Sequence, residues 1–286
     1  MSSETKRILG IKRDAVPKLA RAFLAEFLAT LVFVFLGPGS VSAGAFASGG
    51  DFFQPVGYSL AFGLSITALA FCIGDLSGGH INPAVTLTLT VTRNISLPRC
   101  VLYMIAQFLG GLCGGGLLYL AVGKEYYNSG IPAELLISEG GGFIMEFMGT
   151  AFLLFTVFCV AVWASKHSEE TNSTLEVSTT AALAPIPIGF AVTIAHLVLG
   201  PFTGCGINPA RVLGAVVYVE EASDRFPSHH WIYWVGPFTA SLVVPLIYWL
   251  LYGSFHTSEV VHEHMAETKN YLQEGNVEEK RNSIAK

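Results

Sequence analysis

The sequence predicts an all-α integral membrane protein with six transmembrane helices and two re-entrant half-helices, arranged as an inverted repeat. Three observations predict this fold class: an apolar composition, six stretches long enough to cross a bilayer, and two halves that share the same motifs. Of the 286 residues, 52% are hydrophobic and only 13% are charged, whereas soluble domains carry about 25% charged residues. The net charge is -5 and no basic face exists, so a nucleic-acid partner is not expected.

Each membrane span needs about 20 mostly apolar residues, and six stretches of the chain reach that length. They cover residues 20–41, 55–74, 100–123, 141–164, 181–202 and 230–253. The first stretch follows a basic tail and lacks a small-residue cleavage pattern. We therefore expect a retained helix and not a cleaved signal peptide.

The positions of Lys and Arg predict that both chain ends lie in the cytoplasm. Six of these residues occupy the N-terminal tail and the start of the first span, four occupy the C-terminal tail, and the loop 42–54 has none. The chain then divides into a cytoplasmic N-terminal tail at 1–18, a first three-helix repeat at 19–123, an extracellular loop at 124–140, a second repeat at 141–253 with a long cytoplasmic loop at 165–180, and a cytoplasmic C-terminal tail at 254–286. The plasma membrane is the expected location, because no retention signal ends the chain.

The two halves of the chain share two motifs. AFLAEFLATLVFVF in the first half matches GFIMEFMGTAFLLF in the second, with Glu26 over Glu146. GGHINPAVT matches GCGINPARV, with Asn82 over Asn208. Because three spans per half reverse the orientation of the second copy, the halves should be related by a two-fold axis in the membrane plane, with their site at the interface.

Each Asn-Pro-Ala motif precedes a short apolar segment, 82–92 or 208–219. At 1.5 Å per residue, about 11 residues reach only about half of the bilayer, so both segments are predicted to be half-helices that enter from opposite faces. The Gly-rich segments before them, 76–81 and 203–207, are predicted to be unwound. Irregular backbone at that depth needs a cavity or a cover of protein. The sequence thus predicts a carbonyl-lined path through an apolar body.

The motifs themselves suit the start of a helix. They are Asn82, Pro83 and Ala84 in the first half, and Asn208, Pro209 and Ala210 in the second. Pro is favoured at the first helical position, and Asn is a favoured N-cap. With the halves inverted, both helix N-termini place their positive dipole ends near the midplane, where the Asn amides can point into the path. Such a site favours a neutral polar molecule over cations and hydronium.

With these motifs the chain resembles the major intrinsic protein family, the aquaporins and glycerol facilitators, and within it the water-selective aquaporins. The similarity covers about residues 19–253 and rests on SGGHINPAVT, GCGINPAR, the AEF and MEF signatures, and WVGPF. It implies a right-handed bundle of six helices with two re-entrant half-helices. It also implies a homotetramer in the lipid bilayer, with one water-conducting pore per subunit.

The resemblance implies a narrow filter on the extracellular side of the paired Asn residues, formed by Phe62, His196, Cys205 and Arg211. A charge in the membrane is costly and marks a pathway, and the guanidinium of Arg211 offers donors and repels cations. A lone buried His is often a satisfied core residue, but the family match favours pore lining for His196. Cys205 is expected to face the pore, where a mercurial reagent would block flow.

These filter residues favour water over glycerol. Phe62 and His196 should leave an aperture near the size of water, whereas glycerol facilitators have Trp and Gly at these places and Asp after the Arg, where this chain has Val212. The predicted function is a passive water channel that follows osmotic gradients and excludes protons and ions. The alternatives are a facilitator for glycerol or another small neutral solute, and an adhesive or scaffolding protein with low flux. Gases and hydrogen peroxide stay open as minor permeants.

Glu26, Glu146 and His80 are expected to support the pore. The spacing of 120 residues between the two acids reflects the repeat, and no nucleophile, HExxH or other metal signature accompanies them. By resemblance, each acid accepts hydrogen bonds from the re-entrant loop of its half, which offsets the cost of its burial. Neither an enzyme nor a cofactor or metal site is therefore predicted.

The loop 165–180 is long, polar and rich in Ser and Thr. It is either a disordered linker or a gate, since relatives in plants and fungi resemble this arrangement and close their pores with cytoplasmic segments. A kinase acting on this loop or the tails would add about -1.5 to -2 charges per phosphate. The candidate gating residues are Asp75, Ser168, Thr171, Ser173, Thr174 and Ser178. Asp75, near the cytoplasmic mouth, is either a solvated loop acid or a contact for a mobile loop.

Overall fold

The computed structural model describes residues 15–47, 55–132, 134–162, 182–219 and 226–252. Within these ranges every regular element is helical. The elements are α1 (Ala15–Ala47), α2 (Pro55–Ser77), α3 (Pro83–Val91), α4 (Leu97–Val122), α5 (Glu139–Val157, continued by a π-helical turn at Phe158–Val162), α6 (Pro185–Thr203), α7 (Pro209–Val216), a 3-10 turn (Ser228–Trp231) and α8 (Ile232–Tyr252).

Six of the described helices are long and apolar enough to cross a membrane by length and composition, namely α1, α2, α4, α5, α6 and the helix that ends with α8. The two remaining helices, α3 and α7, have nine and eight residues, which at 1.5 Å per residue is less than half of a bilayer about 30 Å thick. The predicted fold class, an all-α integral membrane protein with six spans and two half-helices, is confirmed.

Several helix boundaries differ from the sequence prediction by a few residues, among them the end of the first span and the start of the fifth. The first span was expected to end near residue 41, but α1 continues to Ala47. Its last turn contacts the chain after α4, because Phe46 packs edge-on against Tyr126 with ring centroids 4.9 Å apart. The fifth span was expected from residue 181, but α6 begins at Pro185, since proline suits the first turn of a helix.

The two halves meet where α2 crosses α6. Thr67 donates a hydrogen bond to the Gly63 carbonyl, and Thr193 donates one to the Gly189 carbonyl, both at 3.1 Å. A Cβ atom on Gly63 would collide with the Thr193 hydroxyl, and one on Gly189 would collide with the Thr67 hydroxyl. These reciprocal contacts follow the two-fold relation of an inverted repeat, and small residues permit the close approach of the two helices.

Replacing Gly63 with Ala is expected to destabilise the protein by about 1–3 kcal/mol, the usual cost of overpacking. The added methyl group must displace Thr193, whose hydroxyl occupies that space. Gly74→Ala on the same helix is the matched control, because a Cβ atom there meets nothing within 4 Å. The thermal unfolding midpoint of the purified protein in detergent measures the effect, and equal midpoints for the two variants would contradict the prediction.

Candidate functional site

Each half-helix begins with a cap formed by its own Asn side chain. The Asn82 Oδ1 atom accepts a hydrogen bond of 2.9 Å from the backbone nitrogen of Ala84. The Asn208 Oδ1 atom accepts bonds of 3.1 and 3.3 Å from the backbone nitrogens of Ala210 and Arg211. A proline follows each Asn at the first helical position, where its missing N–H costs no hydrogen bond.

The two half-helices are joined at their N-termini by a reciprocal pair of hydrogen bonds. The amide nitrogen of Asn82 donates to the Ile207 carbonyl, and that of Asn208 donates to the Ile81 carbonyl, both at 2.9 Å. An amide nitrogen carries two donors, so each Asn keeps a second donor for the cavity that both residues line. The positive ends of both helix dipoles therefore meet where two amide donors are available.

The backbone before each motif is unwound. Ile81, Cys205 and Ile207 have φ values of +55°, +54° and +40°, and neighbouring glycines in both loops are also left-handed. A left-handed non-glycine residue costs about 1–3 kcal/mol and persists only when its surroundings hold it there. The loops must therefore be fixed by other parts of the molecule.

Glu26 holds the first loop. Its carboxylate is fully buried and accepts hydrogen bonds from the Ser77 hydroxyl at 2.6 Å, the backbone nitrogens of His80 and Ile81 at 2.9 and 2.7 Å, and the Gln107 amide at 2.8 Å. Hydrogen bonds to a charged group are about twice as strong as neutral ones. Four donors thus offset the cost of burying this carboxylate in the membrane.

Glu146 holds the second loop in the same way. It is fully buried and accepts hydrogen bonds from the Thr203 hydroxyl at 2.6 Å and from the backbone nitrogens of Gly206 and Ile207 at 2.9 and 2.7 Å. A tyrosine hydroxyl supports each loop from outside, since Tyr103 donates to the Ser77 carbonyl and Tyr233 to the Thr203 carbonyl.

Several of these supporting residues were not found from the sequence. Gln107 reaches Glu26 and also donates to the Thr86 hydroxyl at 2.9 Å, which in turn lies 3.1 Å from the His80 Nδ1 atom. A signal for Gln107 did exist, because it is the only amide or charged side chain in the apolar stretch 100–123 and intramembrane polar residues are costly. No comparable signal marks Tyr103 among the other aromatic residues.

Phe62, His196, Cys205 and Arg211 come together next to the second loop, and each is at most 1% exposed. The Phe62 and His196 rings stack with centroids 4.0 Å apart and an interplanar angle of 20°. The Arg211 Cζ atom lies 5.0 Å from the centre of the Phe62 ring. The four residues predicted from the sequence for the filter are therefore neighbours in space.

The polar atoms of this cluster can serve a small molecule that both donates and accepts. His196 Nδ1 lies 2.8 Å from the Val192 carbonyl, and a carbonyl only accepts, so Nδ1 donates and the Nε2 atom of the neutral ring is an acceptor. Arg211 uses Nη2 to donate to the Gly204 carbonyl at 3.3 Å. Its Nε and Nη1 atoms, like His196 Nε2, have no hydrogen-bond partner among the described residues.

The chain after α4 covers Arg211. Tyr127 donates a hydrogen bond of 2.5 Å to the Ala215 carbonyl, and burial raises the pKa of this phenol, which keeps it a donor. Gly130 is left-handed, with φ +69°, and a Cβ atom there would lie 2.9 Å from Arg211 Nη2. The backbone at Gly130 thus limits the positions that the Arg211 guanidinium can occupy.

A cavity of about 330 Å³ reaches from Ala161 and Val162, at the end of the π-helical turn, to His196. Its polar lining includes both Asn residues of the repeated motifs and His80, while apolar side chains make up most of the rest. The volume holds several water molecules, each of which occupies about 30 Å³ in the liquid. The cavity ends at His196, which belongs to the filter cluster, the four neighbouring residues that the sequence predicts for the filter.

The candidate gating residue Asp75 is not brought to this cavity. Asp75 is exposed on α2 and is absent from the cavity lining. The candidate gating residues Ser168, Thr171, Ser173, Thr174 and Ser178 lie outside the described residues. Within the described part of the chain, no group of three or more His, Cys, Asp or Glu residues could hold a metal ion.

Comparisons with known proteins agree with this geometry. The model of the family described as Major intrinsic protein matches residues 15–248. A probable aquaporin, PIP2-1, from Oryza sativa subsp. japonica is 40% identical over 238 residues, which cover 79% of this chain and 78% of that protein. Aquaporin PIP2-1 from Arabidopsis thaliana is 40% identical over 235 residues, which cover 78% of each protein.

Among solved structures, the X-ray structure of the aquaglyceroporin from Plasmodium falciparum is similar, with a TM-score of 0.62. The match covers 80% of this chain and 95% of that chain, at 24% sequence identity. At this identity the likeness concerns the fold.

Replacing Glu146 with Gln is expected to destabilise the second loop, because an amide nitrogen would face one of the three donors that the carboxylate accepts from. The loss of one hydrogen bond to a charged group corresponds to about 1.5–3 kcal/mol. Glu125→Gln is the matched control, since Glu125 is exposed in the chain after α4. Thermal unfolding in detergent compares the two variants, and an unchanged midpoint for Glu146→Gln would contradict the role assigned to this acid.

Proposed function

Because the chain belongs to the major intrinsic protein family, we propose a mechanism in which the two buried Asn residues and the four-residue filter select water. The family and the identity of 40% to plant proteins named aquaporins make this chain a water channel, which conducts water passively along osmotic gradients and is not an enzyme. The alternatives, a glycerol facilitator and a scaffolding protein with low flux, are not favoured by these relatives.

The observation that carries the mechanism is the reciprocal pairing of Asn82 and Asn208 with the opposite loops. Each amide keeps one donor for the cavity. A water molecule whose oxygen accepts from both amides points its own hydrogens along the path. It therefore donates to the water molecule on each side and accepts from neither, which interrupts the chain of hydrogen bonds that a proton would need. Hydronium is a poor acceptor and meets two positive helix ends at this point, so protons and cations are disfavoured.

The filter adds a second selection. Arg211 donates through Nε and Nη1, and His196 accepts through Nε2, so a single water molecule satisfies both residues. The guanidinium charge repels cations, and Phe62 offers only an apolar ring on the remaining side. A three-carbon solute lacks the space between Phe62 and the two polar side chains, which favours water over glycerol.

The mechanism is tested by reconstituting the protein in liposomes and following shrinkage by stopped-flow scattering after sucrose and glycerol gradients. The wild type is expected to conduct water well above empty liposomes and to exclude glycerol. Removing the bulk or the charge of the filter in His196→Gly and Arg211→Val is expected to admit glycerol, because the aperture widens in both variants.

The matched control for the filter variants is Arg21→Val, since Arg21 is exposed on α1 and its loss leaves the filter intact. This control should exclude glycerol like the wild type. Glycerol exclusion by both filter variants would contradict the proposed filter, and wild-type water flow no faster than in empty liposomes would contradict the channel itself.

Cys205 provides an independent test of the pore wall. A mercurial reagent is expected to inhibit water flow through the wild type, because the thiol lies within the filter cluster, and to leave Cys205→Ser unaffected. Cys100→Ser is the matched control, since Cys100 is also buried but lies in the first turn of α4 beside Thr90 and not in the filter cluster, and it should stay sensitive. Undiminished inhibition of Cys205→Ser would contradict the placement of this thiol in the pore.

The assembly and orientation of the channel are also proposed here. At least half of each membrane-spanning window is unburied within one chain, which suits a homotetramer in lipid, in the plasma membrane. The distribution of Lys and Arg supports cytoplasmic chain ends. Light scattering of the detergent-solubilised protein tests the tetramer, and protease accessibility of tagged termini in sealed cells tests the orientation.

Regulation by the cytoplasmic loop is supported by its point of attachment. The loop follows Val162 in the chain, and Val162 lines the cavity. A kinase that phosphorylates Ser or Thr within 165–180 would add negative charge to a segment that is covalently joined to the cavity wall. Deleting residues 168–178 should then change water permeability in the liposome assay. Unchanged permeability would count against a gate.

A further inference from the structure

Gly37 in α1 packs directly against the Phe62 ring. A Cβ atom on Gly37 would be closer than van der Waals contact to the Cε1, Cδ1 and Cζ atoms of Phe62. The Phe62 side chain is fully buried, so its ring occupies the space that any other side chain at position 37 would need. Gly37 was not among the residues predicted for the pore.

The other contacts of Phe62 show where the ring would move. Phe33 packs against it edge-on at 5.7 Å, His196 stacks on its face at 4.0 Å, and Arg211 lies 5.0 Å from its centre. The atoms that face Gly37 are the free end of a rotatable side chain, which can shift at lower cost than the backbone of α1. A group added at position 37 would therefore displace the ring from α1 within the filter cluster.

The inverted repeat offers an internal comparison. At the offset that relates Glu26 to Glu146, the counterpart of Gly37 is Val157, and at the offset that relates Asn82 to Asn208, the counterpart of Phe62 is Ile188. Val157 and Ile188 both line the cavity on the other side of the paired Asn residues. The second half thus has two medium-sized side chains where the first half has no side chain and a large ring. Of these two pairs, only the one in the first half includes an aromatic ring.

We propose that Gly37 is a positioning residue that determines the selectivity of the filter by leaving room for Phe62 beside α1. The inference rests on the proposed role of Phe62 in the filter. Gly37 touches no permeant and acts through the ring, whose position sets the space left beside His196 and Arg211.

The test measures water permeability per reconstituted protein for Gly37→Ala in liposomes. Permeability is expected to fall by about tenfold, the lower end of what one extra methyl group costs in a tightly fitted apolar site. Gly44→Ala is the matched control on the same helix, because a Cβ atom there meets nothing within 4 Å, and its permeability should equal that of the wild type.

The decisive comparison is the same substitution in the background of Phe62→Leu, whose side chain lacks the Cε1 and Cζ atoms that Gly37 faces and can turn its two Cδ atoms away from α1. Here Gly37→Ala is expected to leave water permeability and the ratio of water to glycerol permeability unchanged. Equal falls in the two backgrounds, or no fall with Phe62 present, would overturn the proposal, because a purely structural defect in α1 would not be relieved by shortening residue 62.

The outcomes separate this inference from the channel function. If Gly37→Ala alone folds poorly, recovery of the folded yield in the double variant with Phe62→Leu supports the steric link, and a double variant that also fails to fold overturns it. Fast water flow in the wild type without coupling between positions 37 and 62 removes the role of Gly37 and leaves the channel intact. Wild-type flow equal to that of empty liposomes overturns the function and this inference with it.

Discussion

The N-termini of the half-helices α3 and α7 lie in the interior of a membrane protein. No bulk water can pair with their backbone N–H groups there, so these groups need hydrogen-bond partners within the protein, and much of the structure supplies them. Asn82 and Asn208 supply them for the helix starts, because each caps its own helix and donates to the opposite loop. Glu26 and Glu146 supply them for the loops. The same groups that satisfy the backbone leave carbonyls and amide donors along one narrow path.

The inverted repeat provides this arrangement of Asn cap and Glu-bound loop twice, once in each half. Single residues make the two ends of the path different. On the cavity side, His80 and Thr86 join the Glu26 network through Gln107. On the filter side the corresponding half-helix carries Arg211, whose charge is held between the Gly204 carbonyl and the backbone at Gly130. Symmetry thus provides the hydrogen bonds that hold the loops, and departures from symmetry give the two ends of the path different side chains.

Hydropathy was sufficient to find the six spans, because a lipid-facing helix must be apolar along its whole length. The duplicated Asn-Pro-Ala motif was sufficient to predict the two half-helices and the contact between their N-termini. Boundaries were less predictable. The extension of α1 to Ala47 depends on Phe46 packing against Tyr126, a contact with a loop that hydropathy does not report. Gln107 carried a readable signal as the lone amide of its span, whereas Gly37 carried none, since glycine is common throughout these helices.

The sequence by itself determined the class of molecule: an apolar chain with paired Asn-Pro-Ala motifs in opposite orientation has to place two helix N-termini together in the membrane, because each motif caps a helix too short to cross it. Only the tertiary structure decided the shape of the path, since that depends on distances between residues far apart in the chain. Three examples are the stacking of Phe62 on His196, the room that Gly37 leaves for the Phe62 ring, and the close approach of the Gly130 backbone to Arg211. Each depends on how helices and loops pack together, where a difference of one methyl group is felt.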